Sequence, residues 1–158
     1  MNRNDVRTLL KRWGAASSRI KNLLEAQKAL CDEIDALDGL RAQNLDGMPH
    51  GGTVGQPTER VALDRIILSE RYRDRLAEIG RQIEDEERFV DRIETALMLT
   101  SPDEEFILRA HYSGGMKYEA IAENMDIAVQ NVKKKELRGV ERIKEYLEVA
   151  RNDERRTD

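Results

Sequence analysis

Apolar and small side chains recur early in the chain with alternating steps of four and three, through Val6, Leu10, Trp13, Ser17, Ile20, Leu24, Gln27, Cys31 and Ile34. Steps averaging three and a half residues form the heptad seam of a helix that packs along another helix, here with two polar interruptions. Beyond Pro57 a second amphipathic pattern runs through Leu63, Ile66, Leu76, Ile79, Ile83, Val90, Ile93 and Leu97, with Glu, Asp and Arg at the other positions. Helices of about 35 and 40 residues would each span roughly 50 to 60 Å, and two such rods most simply fold back on each other. The pattern predicts a long antiparallel helical hairpin, coiled-coil-like, over residues 1–100. A homodimer through the long helices satisfies the same pattern. Gly39, Gly47, Gly51, Gly52 and Gly55 cluster with Pro49 and Pro57, which predicts the connecting loop at 40–57. Gly14 and Gly80 fall inside the helices, where each costs about 1 kcal/mol relative to Ala, and that expense points to close packing or a bend.

A third segment opens at Ser101-Pro102-Asp103-Glu104. Ser as N-cap, Pro at the first helical position and acids in the first turn make a strong helix start. This helix carries Phe106, Ile107, Leu108 and Ala110 and stops at Ser113-Gly114-Gly115; a shorter one follows with Tyr118, Ile121, Ala122 and Met125. Asp126-Ile127-Ala128 makes a tight turn into a final helix from about Val129 to Ala150, and the polar tail 151–158 is expected to fray. The organisation is therefore all-α, a hairpin over 1–100 followed by a second domain over 101–150.

Composition narrows the function classes. Charged residues make up 37% of the 158 and aromatics only 4%, a mixture suited to long solvent-exposed helices. The net charge of −4 does not announce a nucleic-acid binder, so any basic surface must be local. No apolar run is long enough to span a membrane, and Met1-Asn2-Arg3-Asn4-Asp5 lacks the apolar core of a signal peptide, which predicts a cytoplasmic protein. One cysteine and two histidines, His50 and His111, make a structural zinc site implausible, and no other metal or cofactor is expected. Cys31 is expected to be a small buried hydrophobe. Neither histidine has a spaced Ser, Asp or Cys partner, so the sequence does not read as an enzyme.

The 118–144 stretch carries the functional signal. Two short helices joined by a tight turn, with Ile121 and Ala122 on the first, Ile127 in the turn and Val132 on the second, fit the internal packing of a helix-turn-helix, whose second helix reads DNA. On a helical wheel Val129, Val132, Val140, Ile143 and Leu147 gather on one side, with Gln130, Lys134, Arg138 and Glu141 on the other. Between Val129 and Lys144 stand six basic residues against two acidic ones, so a chain of negative net charge concentrates positive charge on one helix.

The stretches Glu105 to Tyr112, Tyr118 to Met125 and Asp126 to Lys133 resemble the promoter-reading region 4 of sigma-70-type factors, without a gap from Tyr118 to Lys144. The loop Leu45-Asp-Gly-Met-Pro-His-Gly-Gly52 between two long helices is similar to that of small regulators encoded by phages and prophages of Gram-positive bacteria. The resemblance implies a sigma region 4-like helix-turn-helix, a partner in double-stranded DNA and control of phage or mobile-element genes, with the helical hairpin expected either to dimerise or to touch RNA polymerase. It places Val129, Gln130, Lys133 and Lys134 toward base edges; Lys135 and Arg138, basic residues on the flank, are the candidates for phosphate contact. Gln pairs with adenine and Lys donates to guanine, while flanking basic side chains supply sequence-independent attraction.

Three positions depart from that family. Ala128 replaces the Ser or Thr cap of the reading helix, Asp126 replaces the turn glycine, and Lys135 stands where an aliphatic residue is usual. Trp13, Tyr72 and Phe89, the aromatics before residue 101, are too scattered to form the promoter-melting cluster of a complete sigma factor, which favours a regulator. Against DNA reading stands a coiled-coil interaction protein that binds polymerase or a host regulator by its rods, its lysines a solvated face. The segment Met48-Pro49-His50-Gly51-Gly52 lacks the Gly-Lys-Ser/Thr ending of a phosphate loop and reads as a flexible connection.

Overall fold

The computed structural model describes residues 1–45 and 56–157 and is all-helical over them. The Met48-Pro49-His50-Gly51-Gly52 segment lies outside the described residues. In chain order the elements are α1 (Arg3–Leu45), α2 (Gln56–Met98), α3 (Pro102–Leu108), a π-helical turn (Arg109–Ser113), α4 (Tyr118–Met125) and α5 (Val129–Thr157). α5 thus continues past Ala150, where the polar composition predicts fraying; its last residues are short of apolar side chains but include Arg and Glu, which are good helix formers. No described helix is long and apolar enough to cross a membrane.

α1 and α2 pack antiparallel, the hairpin arrangement of the two that the seams allow. Arg19 pairs with Glu86 at 3.2 Å and Trp13 Nε1 donates to Glu94 at 3.1 Å, while Arg73 pairs with Asp38 at 3.2 Å. The partner number rises on one helix as it falls on the other. The seam of α1 differs from the expected one at three places. Its inward row runs Val6, Leu10, Trp13, Ala16, Ile20, Leu23, Gln27, Leu30 and Ile34, so that Ala16, Leu23 and Leu30 face inward and Ser17, Leu24 and Cys31 are exposed. Two successive steps of three, from Leu10 to Trp13 to Ala16, turn the stripe by one position and leave the heptad period intact. Cys31 is consequently an exposed thiol and not a buried hydrophobe.

Packing divides the chain into two compact units, residues 1–19 with 86–158, and residues 20–85. The division cuts across α1 and α2. In the 20–85 unit, Ile34, Ile79 and Ile83 are buried along the seam. The other unit holds two apolar clusters. In one, Val6, Leu10 and Trp13 of α1 meet Ile93, Ala96 and Leu97 of α2 together with Leu108 and Val140, Ile143 and Leu147 of α5. The other joins Ile107, Ile121, Ala122 and Val132, with Ile127 and Val129 packed against it. α5 therefore anchors its first turns in one cluster and its middle in the other, and the apolar side expected from the wheel is the side it buries.

α3 starts as its sequence dictates. Ser101 Oγ accepts from the Glu104 N–H and the Glu104 carboxylate accepts from the Ser101 N–H, a complete capping box with Pro102 at the first turn. The same Glu104 carboxylate, buried, takes Arg142 of α5 at 3.0 Å. Gly139 of α5 lets the two helices close up: a β-carbon there would come within 2.8 Å of Leu108 Cδ1.

Candidate nucleic-acid interface

The turn before α5 is built from backbone bonds alone. Asp126 takes a left-handed conformation, φ 52° and ψ 45°, which a short polar side chain tolerates better than most. Its N–H bonds back to α4, and the Ile127 N–H reaches the Ala122 carbonyl at 3.1 Å, closing the end of the helix. Ala128 supplies no side-chain acceptor, yet its carbonyl takes both the Asn131 N–H at 2.8 Å and the Val132 N–H at 3.2 Å. α5 begins in a tight first turn without a side-chain cap.

Along α5 the buried positions are Val132, Glu136, Gly139, Val140, Ile143 and Leu147, so the solvent face is set opposite them. Gln130, Lys134 and Arg138 stand at i, i+4 and i+8 on that face, a row roughly 12 Å long. Lys133 and Leu137 border it on one side and Asn131 on the other, all exposed. Val129 is half-buried against the second cluster and contributes shape more than chemistry. Lys135 does not join the row: it turns to α3, where its ammonium bonds the Asp103 carboxylate. Among the described residues no ion pair engages Lys134 or Arg138, and Lys133 has the face of the Tyr118 ring, 5.9 Å from its centroid. Asn131 does not stand out in the sequence because it is uncharged and lies at the edge of the polar stripe; its one signal is its place directly after Gln130 in the first turn.

The two acids in the first four turns of α5 are both engaged, Glu136 in the interior and Glu141 by ion pairs on the outer face. Glu136 is almost fully buried and is held by Arg7 of α1 through two bonds of 3.0 Å and by the Tyr112 hydroxyl at 2.8 Å. This planar fork-to-carboxylate geometry is the strong form of an ion pair. The bond to Glu136 drives the Arg7 pKa above its ordinary value, and burial together with the same carboxylate raises that of Tyr112. Glu141 pairs with Arg3 at 2.7 Å and with Lys144 at 3.2 Å, and the Arg3 bond leads in lowering its pKa. The basic row on the outer face consequently has no acid of its own helix beside Lys134.

A π-helical turn shapes the neighbouring surface. The Gly114 N–H bonds the Arg109 carbonyl at 2.9 Å, five residues back, and Gly115 follows at φ +65°. His111 stacks on Tyr118, ring centroids 4.3 Å apart, and its Nδ1 lies 2.8 Å from the Met116 carbonyl oxygen. A carbonyl only accepts, so Nδ1 carries the proton. His111 is thus committed to holding the approach to α4. Among the described residues no group of acidic, His or Cys side chains could hold a metal ion.

No family model matches the chain, and no curated protein or solved structure matches it either.

Proposed function

We infer that the protein is a sequence-specific DNA-binding regulator of transcription that presents the N-terminal half of α5 to the major groove. The observation that carries this reading is the row Gln130, Lys134 and Arg138, which stands exposed on the second helix of a helix-turn-helix while every acid in the first four turns of that helix is buried or paired. A merely solvated helix face has no need to sequester Glu136 at the cost of its desolvation. Gln130 and Asn131 supply donor and acceptor pairs suited to adenine, Lys134 a donor suited to guanine, and Arg138 and Lys133 reach phosphate. The sigma region 4 resemblance supports promoter-proximal sites and RNA polymerase as a second partner, with phage or mobile-element genes as the targets.

The test is fluorescence anisotropy of the full chain against its own genomic upstream fragments at two salt concentrations, beside Lys134→Ala/Arg138→Ala. The expected result is one fragment bound selectively, with affinity falling steeply with salt. Every phosphate that the variant no longer neutralises lowers the slope of log affinity against log salt by about 0.9. Equal, weak binding of all fragments by wild type and variant would overturn the reading.

A further inference from the structure

α2 reverses the ordinary amphipathic order near its start. The positions that extend its seam toward α1 are Arg65, Ser69 and Tyr72, and Ser69 Oγ is buried with no hydrogen-bond partner among the described residues. Meanwhile Leu63 is 58% exposed and Ile67 41% exposed, with Ile66 beside them at 36%. The three sit at i, i+3 and i+4, which is one side of a helix. A stretch that turns polar residues inward and branched apolar ones outward breaks its own binary pattern, and such a face is apolar because something covers it.

The bordering charges say what covers it. Arg60 and Asp74 lie on the same face as Ile67, seven residues before and after it, roughly 10 Å along the axis in each direction. No ion pair among the described residues engages either of them, nor Asp64 or Arg71. A second copy of α2 laid antiparallel about a two-fold axis through Ile67 brings Arg60 to Asp74 of the partner subunit, Asp64 to Arg71 of the partner subunit, and Ile67 onto its own copy. A parallel arrangement would instead set Arg60 against itself and Asp74 against itself. Self-complementarity of this kind is what an isologous interface requires.

We propose that the face of α2 bearing Leu63, Ile66 and Ile67 is a homodimer interface in which two α2 helices pack antiparallel about Ile67. The inference rests on the 20–85 unit and is independent of DNA binding. Sedimentation velocity of the full chain over a concentration series tests it. A species of twice the 18.2 kDa chain mass is expected, and Leu63→Glu/Ile67→Glu should be monomeric with an unchanged far-UV spectrum, since both side chains are exposed. Arg60→Asp and Asp74→Arg should each weaken the dimer at least about tenfold, or about 1.4 kcal/mol, and the two combined in one chain should restore it. A wild-type chain monomeric throughout the series, a dimer indifferent to Leu63→Glu/Ile67→Glu, or a charge reversal that does not rescue would each overturn the proposal. So would a monomer that binds anionic vesicles through these residues, which would assign the face to lipid.

Discussion

Gly14→Ala and Gly80→Ala are the same substitution in the middle of two long helices, and they should move stability in opposite directions. A β-carbon on Gly14 would stand 1.9 Å from the Tyr112 carbonyl oxygen and 2.8 Å from its carbonyl carbon, whereas one on Gly80 meets nothing within 4 Å. An unstrained carbon-to-oxygen contact is about 3.3 Å, so α1 and the π-helical turn would have to part by roughly 1.4 Å. Both contacting atoms belong to backbone, which leaves no rotamer by which to escape. Movement is resisted on either side, by Leu10 and Trp13 in the buried cluster and by the Arg7–Glu136–Tyr112 bonds. Overpacking of this kind costs about 3 kcal/mol, the upper end of its usual range. The gain in helix propensity returns about 1 kcal/mol, so Gly14→Ala is expected to destabilise by about 2 kcal/mol. For a chain of this size that lowers Tm by about 4 to 8 °C, while Gly80→Ala should raise it by about 2 to 4 °C. Thermal melts followed by far-UV dichroism and by fluorescence of Trp13, which sits in the same unit as Gly14, measure both. If Gly14→Ala melts above wild type, as Gly80→Ala should, α1 does not approach the π-helical turn closely and the packing argument fails.

Tyr112 and Cys31 give two further tests. Tyr112 is neutral in the fold and its pKa is raised above the ordinary 10.0, first by burial and then by Glu136; a raised pKa contributes stability that is complete below about pH 10 and is lost as pH climbs toward the folded value. Denaturant titrations from pH 8 to pH 11 should therefore show falling stability, and Tyr112→Phe should flatten that fall; an equal slope in the variant would refute the assignment. Cys31 is exposed, so a thiol reagent should label the native protein as fast as the denatured one. Labelling that waits on unfolding would return Cys31 to the interior.

The sequence shows the architecture because its signals are local and periodic. The start of α3 follows from a Ser-Pro-Asp-Glu run whose capping atoms are adjacent in the chain, and the buried side of α5 follows from five apolar residues at helical spacing. What the pattern conceals is the choice between neighbours. A strict alternation of four and three carried on from Trp13 selects Ser17, Leu24 and Cys31, whereas two successive steps of three select Ala16, Leu23 and Leu30. Both rows share Ile20, Gln27 and Ile34, and periodicity alone does not separate them. Leu23 and Leu24 are identical, and alanine leaves little trace in an apolar pattern, so the discriminating position is Leu30, larger and more apolar than the cysteine beside it. Gly14 carries a trace as well, since a glycine held inside a helix needs a reason, but the carbonyl that occupies its missing side chain belongs to a residue nearly a hundred positions away.

Long-range partners govern the candidate interface too, and Glu136 shows how. By composition it belongs to the charged stripe of α5 and subtracts from the positive count. In the fold it is a buried anchor, for α5 is rolled so that Glu136 meets Arg7 and Tyr112. That roll, set by the apolar side that α5 buries and held by Arg7 and Tyr112, carries Lys135 toward Asp103 and leaves Gln130, Lys134 and Arg138 outermost. A charge count along one helix treats all six bases as equal, but partners distant in the chain withdraw some of them and spare others. The bases that remain are few, and they lie in one row because Lys134 and Arg138 stand four residues apart on the face opposite the buried Glu136.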